Sequence, residues 1–239
     1  ILIIGSIVAL VFLAVAGNEK RAAAGLTRQN WKSAVLIVLA FVGIYIVRTV
    51  VSVAVQGVSD GSGMQYVKEW AAMFKNPMMW LNIAALPINY FFVFIAFFGE
   101  EYGWRYYLQP VLQKRFGLRA GVIILGVVWG LWHIPDDLFY YTQTSGIQMI
   151  FAQQITCISL GIFFAYAYMK TQNIWVPVCL HYLNNNLIPI ISGTFSADVL
   201  ENQTVSWKDL PVALVLNGLC FGFFLLADVF KKKEVQEEE

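Results

Sequence analysis

The most constraining feature of the sequence is a series of apolar runs, each about 20 residues long and separated by short polar stretches. A run of this length crosses a hydrocarbon core of roughly 30 Å as a helix, which satisfies its own backbone hydrogen bonds. Only 13% of the 239 residues are charged, whereas 59% are hydrophobic. We therefore predict an all-α, polytopic transmembrane bundle and exclude a soluble domain.

The order of the runs predicts seven spans in one helical domain that covers residues 1–230. The three cysteines lie inside these runs without CxxC spacing, so we interpret them as small core residues. The predicted spans are residues 1–16, 33–56, 78–109, 119–138, 147–169, 174–192 and 210–230.

Charged residues between the runs differ in sign from one loop to the next. Basic residues follow the first, third, fifth and seventh spans, whereas the other loops are acidic or mixed. By the positive-inside rule, the basic loops face the cytoplasm. We therefore predict a multi-pass protein of the cell membrane with a cytoplasmic C-terminus and a charged cytoplasmic tail at residues 231–239. The net charge of +1 gives no reason to expect a nucleic-acid partner.

Ionisable residues inside apolar runs are costly in lipid, so each needs a partner or a function. Glu100, Glu101 and Arg105 follow an apolar stretch without a turn signal. On a helix, Glu101 and Arg105 are spaced i, i+4 and can pair, whereas Glu100 points about 100° away. Burial there suits Glu100 to act as a general base. On their own, these three residues are explained better as an ion pair of Glu101 and Arg105 at the membrane interface with a solvated Glu100. The two histidines favour a catalytic interpretation instead.

Both histidines of the chain lie in predicted spans. His133 lies near the far end of the fourth span. His181 lies one helical turn before Asn185 in the sixth span, so His181 and Asn185 share a helix face. Glu100 and His133 are almost equally distant from Gly117, which puts them at similar depth in an antiparallel hairpin. His181 is expected to lie several ångströms shallower, unless the helices tilt or the cytoplasmic end of the hairpin protrudes. For either histidine considered alone, the alternative interpretation is a buried core residue without a catalytic role.

These groups allow two kinds of hydrolytic site. Glu100, His133 and His181 form a set that zinc accepts, but the HExxH signal is absent, so we favour a site without metal or cofactor. In that site Glu100 and His133 activate water, while His181 and Asn185 stabilise the oxyanion on a peptide carbonyl. Motifs of serine and aspartyl hydrolases are absent. Arg48 is expected to snorkel to the membrane surface.

Three motifs stand in a characteristic order. They are Glu100-Glu101-x-x-x-Arg105, Trp129-x-x-x-His133 and His181-x-x-x-Asn185. Together they resemble the CAAX protease and bacteriocin-processing family of membrane glutamate endopeptidases, also called the Abi family, over about residues 90–190. The resemblance implies an all-helical membrane core in which Glu100 and His133 activate water and His181 and Asn185 form the oxyanion site. It also implies that Glu101 and Arg105 support the site.

The family resemblance implies eight spans, one more than the apolar runs predict. We expect either that the N-terminus is trimmed or that segment 78–116 forms two helices, which Pro87 and Pro110 would separate. Both explanations keep the motifs in one catalytic core.

The favoured function is hydrolysis of a peptide bond in a membrane-associated peptide. The substrate is either a prenylated CAAX-type C-terminus or a bacteriocin or signal-peptide leader, and the compactness of the chain favours the leader. One alternative is a non-catalytic immunity or scaffold protein of the same family. Another is a proton-coupled transporter, because buried Glu and His also form proton relays.

Overall fold

The computed structural model describes residues 11, 15, 17–26, 28–61, 63–191 and 201–231. All regular secondary structure of these residues is helical, which confirms the predicted all-α fold. The predicted first span lies almost entirely outside the described residues, as do residues 232–239 of the tail. The α-helices are α1 Asn18–Ala23, α2 Trp31–Asp60, α3 Gly63–Lys75, α4 Pro77–Glu101, α5 Gln109–Phe116, α6 Leu118–Trp132, α7 Ile134–Phe139, α8 Gly146–Thr171, α9 Trp175–Ile191 and α10 Asp209–Cys220.

Four helical runs in the described part of the chain are long and apolar enough to cross a membrane. They are Trp31–Val55, Pro77–Phe116, Leu118–Phe139 and Gly146–Thr171, which coincide with the second to fifth predicted spans. The shorter helices α9 and α10 occupy the positions of the sixth and seventh. The helical membrane bundle is thus confirmed, and the predicted count of seven to eight spans agrees roughly with these helices.

The run Pro77–Phe116 is one continuous helix of 40 residues, so the expectation of two separate helices is wrong. Pro87 lies inside α4, and Pro110 lies in the first turn of α5. Between α4 and α5 the backbone is π-helical over Tyr102–Leu108. At 1.5 Å per residue the run is roughly 60 Å long, about twice the hydrocarbon thickness, so part of it extends beyond the membrane.

Hydrogen bonds between loops bring one set of basic residues to the same end of the bundle. The Asn30 side chain donates to the Thr171 carbonyl, and the Asn173 side chain donates to the Gln29 carbonyl, each at 3.0 Å. We call this the cationic end. Its described basic residues are Lys20, Arg21, Arg28, Lys32, Lys114, Arg115, Arg119, Lys170 and Lys231.

Close backbone packing fixes α6 against both of its neighbours. A Cβ atom on Gly126 would lie 2.6 Å from Ile158 Cα of α8, and one on Gly121 would lie 2.6 Å from the Gln113 nitrogen of α5. Small residues allow such close approach between helices in lipid, where van der Waals packing drives association. Glycine at these positions therefore sets the distance between the three helices, including the one that ends beside His133.

We predict that Gly126→Ala destabilises the protein by about 1–3 kcal/mol, because the added methyl group must displace the backbone of α8. The measurement is thermal unfolding of the purified protein in detergent. Gly218→Ala is the matched control, since a Cβ there meets no heavy atom within 4 Å. Equal stability of the Gly126→Ala variant and the wild type would contradict the packing argument.

Candidate active site

An ion pair between neighbouring helical turns forms the base of the site. The Arg105 Nε lies 3.1 Å from Glu101 Oε2, and both side chains are completely buried. The guanidinium carbon also lies 4.8 Å from the Trp129 ring centre and 5.2 Å from that of Phe164. Cation–π contacts of a desolvated guanidinium contribute about 2 kcal/mol, which offsets part of the cost of burying the charge.

His181 joins this pair from α9. Its Nδ1 lies 2.8 Å from Glu101 Oε1, and its ring packs edge-on against Trp129 with 5.4 Å between centres. An ionised carboxylate only accepts hydrogen bonds, so the Nδ1 of His181 carries the proton. Three helical segments thus converge on one carboxylate, and the tautomer of His181 follows from that contact.

His133 is held by a different partner. Its Nδ1 lies 2.8 Å from the Trp129 carbonyl, one helical turn earlier, and 3.8 Å from the Cys157 thiol of α8. A carbonyl only accepts, so Nδ1 donates and Nε2 carries the lone pair. The sequence did not predict the Cys157 contact, because nothing in the spacing relates α8 to the fourth span.

Both histidines line a cavity of about 180 Å³ on the side of the ion pair that faces away from the cationic end. Tyr141 lies beyond the candidate span Leu118–Phe139, and burial raises the pKa of its hydroxyl to about 12, so it stays protonated at neutral pH. The remaining lining residues are Trp129, Met149, Gln153, Thr156, Cys157, Leu160, Asn184, Asn185 and Gln203.

Glu100 is not among the described residues that line the cavity. Its Oε2 is buried and accepts no hydrogen bond from any described residue. Glu100 and His133 are therefore not directly bonded in this structure. Their depths differ by about one helical turn or less, because Trp104, one turn after Glu100, is in ring contact at 6.3 Å with Trp132, which directly precedes His133.

His181 lies at the depth of Glu101, since it contacts Glu101 directly. Glu101 is about 16 residues from Gly117, whereas His181 is only about eight from Asn173. The α5–α6 hairpin therefore extends roughly 10 Å further than the α8–α9 turn. This protrusion is one of the two conditions under which His181 was not expected to be shallower.

Asn185 lines the cavity at the end of a hydrogen-bond chain that begins on α2. The Tyr45 hydroxyl donates to Asn184 Oδ1, and Asn184 Nδ2 donates to Asn185 Oδ1 at 2.8 Å. Because its oxygen is occupied as an acceptor, Asn185 has its Nδ2 donors available for the cavity. Sequence reasoning missed Tyr45, which is far from the motifs and would have been found only from the packing of α2 on α9.

Arg48 lies near this hydrogen-bond chain and is bonded to another helix. Its Nε donates to Asn217 Oδ1 of α10 at 2.9 Å, and Asn217 is buried. The guanidinium carbon lies 5.8 Å from the Tyr45 ring centre. Arg48 therefore ties α2 to α10 beside the residue that begins the chain to Asn185.

No group of three or more His, Cys, Asp or Glu side chains among the described residues is arranged to hold a metal ion. The zinc alternative required Glu100, His133 and His181 in one ligand set. In the structure His181 faces Glu101 instead, and the Nδ1 of His133 faces a backbone carbonyl.

Comparison with known proteins connects this geometry to a family. Residues 80–187 match the family model of Rce1-like type II CAAX prenyl endopeptidases. This segment is thus similar to the CAAX protease family. A curated relative, CAAX prenyl protease 2 of Methanococcus maripaludis, is 27% identical over 125 residues, which are 48% of this chain and 45% of the relative. The chain thus covers less than half of that relative. No solved structure matches the chain.

The matched segment contains all six candidate site residues of the sequence analysis, from Glu100 to Asn185. Tyr45 and Arg48 lie outside it. The family match therefore covers the ion pair, both histidines and Asn185. Tyr45 of α2, where the hydrogen-bond chain to Asn185 begins, lies outside the match.

We predict that Arg105→Met lowers the free energy of unfolding by about 3–5 kcal/mol, because it leaves the Glu101 carboxylate buried without its cation. Thermal unfolding in detergent measures the change. Arg115→Met, which removes an exposed arginine at the cationic end, is the control and should lie within about 0.5 kcal/mol of the wild type. A similar small effect at both positions would contradict a structural role for the ion pair.

Proposed function

We propose that this protein is an intramembrane endopeptidase that hydrolyses a peptide bond in a membrane-associated peptide. The observation that carries the proposal is the cavity in which His133, His181 and Asn185 meet beside the buried Glu101–Arg105 pair. The match of residues 80–187 to a family model of prenyl endopeptidases supports it. A prenylated CAAX-type C-terminus and a bacteriocin or signal-peptide leader are the two candidate substrates.

In the proposed mechanism Glu100 and His133 activate a water molecule. The Nε2 of His133 and the unpaired Oε2 of Glu100 are acceptors, and a bridging water would satisfy the carboxylate oxygen that no described residue bonds. The water oxygen attacks the carbonyl carbon, and its proton passes to this pair. The same proton then goes to the leaving amine as the C–N bond breaks.

His181 and Asn185 are proposed to stabilise the oxyanion. Asn185 donates from Nδ2, whose orientation follows from the bond that its oxygen accepts. His181 has Nδ1 bonded to Glu101, so Nε2 donates only when the ring is an imidazolium. The Glu101 carboxylate orients the His181 ring, which gives the second acid of the motif a role distinct from that of Glu100.

We predict that Glu100→Gln lowers kcat by about 10²–10⁴-fold, because the amide cannot accept the proton of the water. The measurement is cleavage of quenched fluorescent peptides, prenylated and leader-like, by the purified protein in detergent. Glu201→Gln, which changes an exposed carboxylate, should keep full activity. A metal chelator should also leave the rate unchanged, since the proposed chemistry uses side chains alone.

Full activity of Glu100→Gln with normal folding would refute the proposed general base. Absence of cleavage by the wild type and the variant alike, together with retained biological function of both, would favour the non-catalytic immunity or scaffold role. Substrate flux into proteoliposomes without hydrolysis would favour the transporter.

We predict that Tyr45→Phe lowers kcat by roughly ten- to a hundredfold with little change in KM, because the Asn184–Asn185 pair loses the donor that orients it. Steady-state kinetics measures the two parameters separately. Tyr102→Phe removes a comparable hydroxyl, which bonds the Ala24 carbonyl away from Asn185, and serves as the matched control.

A merely structural role of the Tyr45 hydroxyl would lower the thermal stability of Tyr45→Phe without changing kcat of the folded enzyme. Equal kcat values for Tyr45→Phe and Tyr102→Phe would therefore contradict the orienting role.

A further inference from the structure

We propose that Arg48 of α2 and Asn217 of α10 form a binding site for the phosphate group of a phospholipid. The site lies outside the segment that matches the family model, and none of the three sequence motifs contains it. Its occupation supports Asn185 through Tyr45, and only this second part of the inference rests on the proposed function.

Both residues lie below the membrane surface at the end of the bundle opposite the cationic end. Arg48 is seven residues before Val55, where the apolar run of α2 ends, or roughly 10 Å. Asn217 is eight residues after Asp209, the first residue of α10, or roughly 12 Å. The Arg48 Nε donates to Asn217 Oδ1 at 2.9 Å, and this bond holds the guanidinium at that depth.

No carboxylate among the described residues neutralises Arg48. The polar contacts of its guanidinium are the hydrogen bond to Asn217 and the cation–π contact with Tyr45. The ion pairs of the described residues are Glu101–Arg105, Glu101–His181 and Asp228–Lys231. A charged side chain inside the hydrocarbon is costly and requires a partner. An anion from outside the described chain would supply it.

The two side chains offer hydrogen-bond donors without acceptors. Only the Nε of Arg48 has an acceptor among the described residues, so both terminal nitrogens keep their N–H donors. Asn217 is 2% exposed, and its Nδ2 also has no described acceptor. Reversal of the amide would place Nδ2 against the Nε donor, so the orientation of Asn217 is fixed. A ligand that fits brings acceptors and negative charge, as phosphate does.

The surroundings of Arg48 favour a lipid as the source of the phosphate. Arg48 is partly exposed, and Val51, one turn further along α2, is 39% exposed. Leu214, one turn before Asn217 on α10, is 57% exposed. These apolar side chains offer contacts to acyl chains at the level of the cation. A phospholipid brings phosphate and acyl chains together, and a charged side chain at this depth draws headgroups inward by thinning the bilayer locally.

The bound phosphate acts on the cavity through Tyr45. The guanidinium carbon of Arg48 lies 5.8 Å from the Tyr45 ring centre. The Tyr45 hydroxyl donates to Asn184, which in turn donates to Asn185. A phosphate on the terminal nitrogens of Arg48 restrains the guanidinium and, through it, the ring of Tyr45. The lipid is therefore expected to hold Asn185 in the orientation that the proposed oxyanion stabilisation requires.

Lipid binding to the purified full chain in a neutral detergent tests the site independently of activity. Phosphatidylglycerol is compared with diacylglycerol of the same chains and with inorganic phosphate, by native mass spectrometry and thermal unfolding. We expect only phosphatidylglycerol to bind and to raise the unfolding temperature, by roughly 5 °C or more. Arg48→Gln should weaken this binding by about tenfold or more, whereas Lys208→Gln, which removes an exposed cation beside α10, should not.

Asn217→Asp keeps the test decisive if Arg48→Gln does not fold. The new carboxylate places the missing negative charge on the side chain that already bonds Arg48. We expect this variant to fold and to gain no thermal stability from phosphatidylglycerol. A gain equal to that of the wild type would overturn the site.

Other results would also overturn the lipid site. Equal stabilisation by diacylglycerol would assign the effect to the acyl chains, and equal stabilisation by inorganic phosphate would assign the site to a free anion. Unchanged lipid binding by Arg48→Gln would exclude the cation from the site. If Asp198→Asn, outside the described residues, destabilised the protein as Arg48→Gln does and lipid had no effect, the partner of Arg48 would be a carboxylate of the chain itself.

Peptide cleavage tests the coupling to Asn185. We expect phosphatidylglycerol to accelerate the wild type several-fold and Arg48→Gln not at all, and Asn217→Asp to reach the accelerated rate without lipid. Lipid binding without a change in rate would overturn the coupling and leave the binding site intact. Absence of cleavage by the wild type with and without lipid would overturn the proposed function, while the binding and unfolding measurements would still decide the site.

Discussion

The contact on which the rest of the site depends is the buried carboxylate of Glu101. It pairs with Arg105 on its own helix and with His181 on α9, and Arg105 in turn lies over rings from α6 and α8. In a low-dielectric interior a single unpaired charge is expensive, so each partner restricts the position of the others. Four helical segments are thereby fixed relative to one carboxylate.

The same constraint distinguishes the two histidines. Both use Nδ1 for a structural hydrogen bond, but one acceptor is a neutral carbonyl and the other is a carboxylate. The carbonyl holds the His133 ring with Nε2 as the acceptor, whereas the carboxylate holds the His181 ring beside the buried ion pair. The two histidines of one cavity therefore have different partners, which fits the different roles proposed for them.

The membrane environment explains why the cavity is one-sided. On the side of the ion pair that faces the cationic end, aromatic residues of α2 and α8 exclude water and keep the charges strongly coupled. On the other side, amide and hydroxyl groups line the cavity, as expected where backbone or water must be bound within the membrane. The proposed hydrolysis needs both halves, because water must enter while the supporting ion pair stays dry.

The apolar runs and the positions of their ionisable residues determined the all-helical membrane bundle, the family resemblance and the six candidate site residues. These follow from sequence because the cost of exposing backbone and charge to lipid is local. The relative depth of His181, the continuous helix through Pro87, and the partners Tyr45 and Cys157 were decided only by tertiary packing. They depend on how far each hairpin extends and on which helix faces which, and spacing along one chain carries no information about contacts between helices that are distant in sequence.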